Sequence, residues 1–167
     1  MRNIRQFLVL CLALISVAAA SWAASKSQPE FDKIKSLAGD WEGKAAGGNP
    51  IHINYKLVSG GTAVMESILE SSDAQMVTLY YLDGDHLMMT HYCMANNQPR
   101  MRADASTSSP RDIKFTYVDA TNLSGPNAGH MYAHSIMWKD ADHVTQHWTW
   151  REGGKDKVET FELQRKN

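Results

Sequence analysis

The chain has little cysteine, little proline and almost no net charge: two Cys, five Pro and 17 Lys+Arg against 18 Asp+Glu in 167 residues. A formal charge of −1 excludes the broadly basic surface that non-specific nucleic-acid binding requires, so no nucleic-acid partner is expected. No Gly-rich phosphate loop, Gly-x-Ser-x-Gly elbow, His-Glu-x-x-His pair or Cys-x-x-Cys motif occurs, so none of these motifs implies a cofactor or a reaction. One long apolar run exists, Phe7 to Val17. It is shorter than the roughly 20 residues a membrane helix needs, and no membrane span is expected.

That run follows Arg2 and Arg5 and ends in Ala18-Ala19-Ala20-Ser21-Trp22-Ala23-Ala24, the charged, apolar, small-residue order of a secretory signal peptide. Ser21 and Ala23 suit the small positions before a cleavage site, so residues 1–23 read as a signal peptide removed after Ala23, and the mature protein as periplasmic or secreted. Cleavage takes Lys+Arg from 17 to 15 against 18 acids and removes Cys11. Cys93 is then the only thiol, and an intrachain disulfide is impossible.

Residues 24–30 read as a flexible leader, and 31–167 as one domain. Phe31, Ile34 and Leu37 stand at helical spacing after Pro29, which predicts a short helix ending at Gly39. Beyond it no helical period is found. Alternating or apolar runs predict strands near 39–46, 51–58, 62–69, 75–82, 86–94, 100–103, 112–118, 130–139, 143–152 and 157–165. The connectors are short and rich in Gly, Asn and Asp, as between antiparallel neighbours. About ten such strands predict an all-β, up-and-down antiparallel barrel, closed so that no edge is exposed, with a two-sheet β-sandwich as the alternative. The longer connectors, 104–111 and 119–129, belong at a rim.

The passage Leu37-Ala38-Gly39-Asp40-Trp41-Glu42-Gly43 resembles the opening of calycin-like barrels, the lipocalins and the nitrobindin type, in which a short helix leads into a Gly-x-Trp first strand. Together with Thr90-His91-Tyr92-Cys93, Asn97-Gln98-Pro99-Arg100 and Gln146-His147-Trp148-Thr149-Trp150, it is also similar to a group of exported bacterial proteins without an assigned activity. The resemblance implies a barrel with a ligand inside. In nitrobindins that ligand is haem, held by a His on a late strand.

Several residues are candidates for a site. His91 and Cys93, two apart on a strand, would share a face with Leu87 and Met89. They form either a thiolate–imidazole or metal-binding pair, joined by His130 and His134, or a packed thiol beside a wall histidine. In 143–152, the phase that buries Val144, Gln146, Trp148 and Trp150 buries two indoles at once. Gln146 would then orient a ligand in an aromatic pocket with Trp41, or the indoles would fill a dry core. In 130–139 either His130, Tyr132, His134, Ile136 and Trp138 face inward, or Met131, Ala133, Ser135 and Met137 do; barrel volume favours the second set. Arg100 could present a cation at the mouth or lie on a solvated edge, and Asn122 and His130 mark the rim. The expected function is binding of a small, mostly apolar molecule in the barrel interior. The alternatives are a metal- or haem-dependent activity using His91 and Cys93, or a small barrel enzyme with His91 as base.

Overall fold

A computed structural model describes residues 25–45, 48–69 and 74–166; the expected signal peptide lies outside them. Helix α1, Gln28–Lys35, leads into ten strands: β1 Gly39–Ala45, β2 Pro50–Val58, β3 Ala63–Leu69, β4 Ala74–Asp83, β5 His86–Tyr92, β6 Gln98–Ala103, β7 Asp112–Thr121, β8 His130–Trp138, β9 His143–Glu152 and β10 Lys155–Arg165. Every strand pairs antiparallel with its sequence neighbour, and β10 returns to β1 through Trp41 opposite Arg165, which closes the barrel. The all-β barrel expected from the turn spacing is therefore the fold, and the sandwich is not. The helix opens at Gln28, three residues earlier than its apolar spacing suggests, because Pro29 suits the first helical turn. Part of the expected leader is thus ordered, with Ser27 Oγ donating to the Asp85 carbonyl at 2.9 Å.

The closing seam depends on a residue without a side chain. A Cβ at Gly43 would lie 1.8 Å from the Glu162 carbonyl oxygen of β10, so the two strands approach this closely only because position 43 is glycine. Gly43→Ala is expected to spread β1 from β10 at a cost of about 1–3 kcal/mol, read as a lower urea midpoint with an unchanged slope.

One end of the barrel is plugged. Phe31, Ile34 and Leu37 of the helical segment are buried with Trp41, whose Nε1–H donates to the Leu37 carbonyl at 2.7 Å. The Arg165 guanidinium lies 4.3 Å from the Trp41 ring and donates to the Ala38 and Ser36 carbonyls. It ties the last strand to the end of the helix, where free carbonyls need donors. The 104–111 connector lies at this plugged end, where Ser108, Ser109 and Pro110 line a hollow with Pro29 and Lys33. The 122–129 connector lies at the other end.

Inward phase is set strand by strand by apolar burial. In β8 the large side chains decide it: His134, Ile136 and Trp138 are buried and Met137 is exposed, the reverse of the expected set of small and flexible residues. Burying an indole and an isoleucine is worth more than burying methionine and alanine. A bulge between Met131 and Ala133 then breaks the alternation, and Met131 packs against the core as well.

Candidate functional site

Two features are stacked in the barrel, one at the end away from the helix and the other in the interior below it. The upper one is an open cavity of about 1040 Å³, formed where β1 ends, β2 begins and β9 turns into β10. Its apolar wall is Ile51, Met76, Met131, Trp148, Trp150 and Phe161, and its outer rim carries Glu152, Lys155, Asp156, Lys157 and Glu159. Buried Trp148 forms the floor. Trp150 stands higher and half-buried, its indole laid over Gly129, where a Cβ would meet the ring at 2.1 Å. The loop holding Gly129 is pinned by Asn97 Nδ2, which donates to the Gly129 carbonyl at 2.8 Å.

Beneath Trp148 lies a buried polar network. Trp148 Nε1–H donates to Gln146 Oε1 at 2.8 Å. Because an indole N–H can only donate, this fixes the Gln146 amide with Nε2 turned toward Tyr55 Oη and toward Glu66 Oε1 at 2.6 Å. The Tyr55 hydroxyl donates to the same carboxyl oxygen at 2.7 Å. Glu66 Oε2 faces the Tyr80 hydroxyl at 3.0 Å, and that hydroxyl also meets His134 Nε2 at 3.2 Å. His134 Nδ1 is 3.2 Å from the His147 carbonyl, which only accepts, so Nδ1 carries a hydrogen. Burial pushes the His134 pKa down to about 3. The ring is therefore neutral and Nε2 is an acceptor. The Tyr80 hydroxyl donates to Glu66 Oε2 and lies beside the His134 Nε2 acceptor. Burial raises the Glu66 pKa, and the hydrogen bonds it accepts from Tyr55, Gln146 and Tyr80 oppose that rise.

Two histidines flank the floor. His134 stacks on Trp148 at 3.8 Å between ring centroids, and His91 lies against it at 4.7 Å. His91 Nδ1 is 2.9 Å from Thr78 Oγ1, burial lowers its pKa to about 4, and its Nε2 is buried without a partner.

The other sequence candidates take varied places. Trp41 sits at the plugged end and does not line the cavity. Gln146 is inward as its strand phase predicts. It is not a cavity group, because both ends of its amide are held by Trp148, Tyr55 and Glu66. Strand β5 ends at Tyr92, so Cys93 begins the turn, its N–H bonded to the Asn97 carbonyl at 3.1 Å, and the alternation expected to pair it with His91 stops short of it. Burial pushes its thiol pKa up. Among the described residues, no three His, Cys, Asp or Glu side chains converge as a metal site would need. Arg100 is on the outer wall in a two-pronged ion pair with Asp119, so its charge is not turned to the mouth. Asn122 is an exposed loop residue with a φ of 58°. His130 is buried at the rim, Nδ1–H donating to the Ala128 carbonyl at 2.8 Å, beside Tyr117 and Tyr132. The Arg151 guanidinium lies 3.3 Å over the Tyr132 ring and is held by Asp156.

Sequence reasoning missed Glu66, Tyr55, Tyr80 and Thr78. A signal existed for the first: Glu66 stands between Val64 and Ile68 on the apolar phase of its strand, where an acid has no reason to be unless it has partners. No protein family matches the chain, and no curated protein is detectably similar to it.

Proposed function

We propose that this is an exported, calycin-type barrel that binds a small, mostly apolar molecule at its open end. Support for the barrel class comes from the closed ten-strand meander, the capping helix and the Gly39-Asp40-Trp41 opening. Export rests on the order of residues 1–23. The observation that carries the binding reading is the cavity of about 1040 Å³ floored by Trp148 and walled by Trp150, Met76 and Met131. Concave sites of this size and lining take drug-sized apolar ligands, and thioether side chains adapt to irregular shapes. Acids and lysines alternate at the rim, which favours an uncharged ligand over one of strong single charge.

The test is a titration followed by tryptophan emission, with a panel of fatty acids, haem and bicyclic aromatics. At least one class should shift or quench the emission. Trp150→Ala is expected to weaken it about tenfold, since an exposed aromatic wall contributes on the order of 1–1.5 kcal/mol, while the melting temperature changes little because Trp150 is only half-buried. Unchanged emission across the whole panel would dismiss the binding reading.

A further inference from the structure

Among the described residues, four side chains carry a buried polar atom without a hydrogen-bond partner: Glu30, His52, His91 and Asn97. Glu30 belongs to the first turn of the helix, His52 lies 3.5 Å from Asp40, and Asn97 is in the turn after β5 with its amide nitrogen already used. His91 is different. It is fully buried in the barrel, next to the residue that floors the cavity. An orphaned buried nitrogen costs about 1–3 kcal/mol, and a native interior keeps such a cost where a partner arrives from outside.

The neighbours decide what kind of partner. Thr78 Oγ1 lies 2.9 Å from Nδ1 of His91, and either atom can donate. Where Nδ1–H donates, Nε2 is a bare acceptor, and where Thr78 donates, Nε2–H is a bare donor; a hydroxyl satisfies either. Among the described residues burial alone shifts the His91 pKa, with no charged partner acting on it, so a carboxylate or phosphate would find no cation there, whereas a neutral hydroxyl would satisfy Nε2. Trp148 both lines the cavity and packs against His91, and it is held by one hydrogen bond, to Gln146 Oε1, and by its stack on His134. A hydroxyl at the tip of an apolar ligand could reach His91 when that indole turns.

We propose that the molecule bound at the mouth is an apolar ring or chain bearing a hydroxyl, and that this hydroxyl hydrogen-bonds with Nε2 of His91 past the edge of Trp148. The inference rests on the binding reading above and names the chemistry of its ligand. His91 would be a specificity-determining residue: it would reject the analogue lacking the hydroxyl by leaving its own Nε2 unpaired.

The experiment compares 2-naphthol with 2-methylnaphthalene, which has the same outline and no donor. The ratio of their dissociation constants is measured in the wild type, in His91→Phe and in His91→Gln. His91→Phe should shift the ratio against 2-naphthol about tenfold while leaving 2-methylnaphthalene within about twofold, and His91→Gln, which retains an acceptor, should recover part of the preference. In wild-type protein carrying ¹⁵N-labelled histidine, the His91 Nε2 resonance should move on adding 2-naphthol and stay in place with 2-methylnaphthalene. An unchanged ratio in His91→Phe together with an unmoved Nε2 resonance overturns the hydroxyl proposal while the cavity reading stands. Failure of both naphthalenes to bind the wild type, with no other member of the panel binding, overturns both. If His91→Phe does not fold, the wild-type resonance decides.

Discussion

Glu66→Gln is expected to leave the barrel at least as stable at pH 7 as the wild type, whereas Glu66→Ala is expected to cost about 3–6 kcal/mol. The difference follows from the count of hydrogens. In the native network one carboxyl oxygen accepts from Tyr55 and Gln146 while the other accepts from Tyr80. A primary amide satisfies the same partners: its oxygen accepts where Oε1 did, and its NH₂ donates to the Tyr80 oxygen, whose own hydrogen then turns to the His134 Nε2 acceptor. Alanine leaves the Tyr55 hydroxyl and one N–H of the Gln146 amide without an acceptor, at about 1–3 kcal/mol each, and opens a void in a close-packed interior. The sign at other pH values is fixed by the direction of the Glu66 shift. Its pKa is raised in the folded state, so its stabilising effect is complete below the ordinary value of 4.5 and is lost as pH rises toward the folded value. Glu66→Gln removes that loss. Urea unfolding of both variants at pH 7 checks the expectation, and a glutamine variant as damaged as the alanine one would mean that a charged carboxylate is what the network holds.

Acidification from pH 7 to pH 5 is expected to remove about 4 kcal/mol of stability through two histidines together. Burial lowers the folded pKa of His91 to about 4 and of His134 to about 3, from an ordinary 6.5. For a group depressed in this way the unfolded chain takes up the proton first. Stability is therefore whole above pH 6.5 and falls as pH drops toward 4 and then 3. Glu66 works in the opposite sense over part of the range, so the wild-type loss is partly offset and the full effect belongs to Glu66→Gln. In that background, adding His91→Gln should reduce the loss by about 2 kcal/mol, because one of the two proton-linked groups has gone. Denaturant midpoints at the two pH values provide the comparison. A loss that His91→Gln leaves unchanged would show that His91 is not held neutral in the folded state.

How much of this was legible in the sequence differs from element to element. The strands were, because alternation with a period of two and connectors rich in Gly, Asn and Asp depend only on neighbouring residues. The inward phase of β9 was too, since burying Val144, Gln146 and Trp148 together outweighs any other arrangement. Strand β8 was not. Ile136 and Trp138 favour the phase observed, but barrel volume argues for the other face, and the bulge at Met131/Ala133 that lets Met131 pack inward as well is a response to how β8 pairs with β9.

The candidate site divides along the same line. Trp148 and Trp150 could be assigned to a shared inner wall from their spacing alone, and His91 from its apolar neighbours Leu87 and Met89. Trp41 met the same criterion and lies at the opposite end of the barrel, because spacing along a strand does not say which end of a closed sheet a residue will face. Glu66 is the clearest case. By itself the chain determined a closed antiparallel barrel with a short helix, an aromatic interior and a near-neutral surface. Only the tertiary structure brought Tyr55 of β2, Glu66 of β3, Tyr80 of β4, His134 of β8 and Gln146 of β9 to one point. The reason is physical: a buried acid is tolerable only where donors and acceptors from several strands meet it at once, and that meeting is set by barrel closure and register.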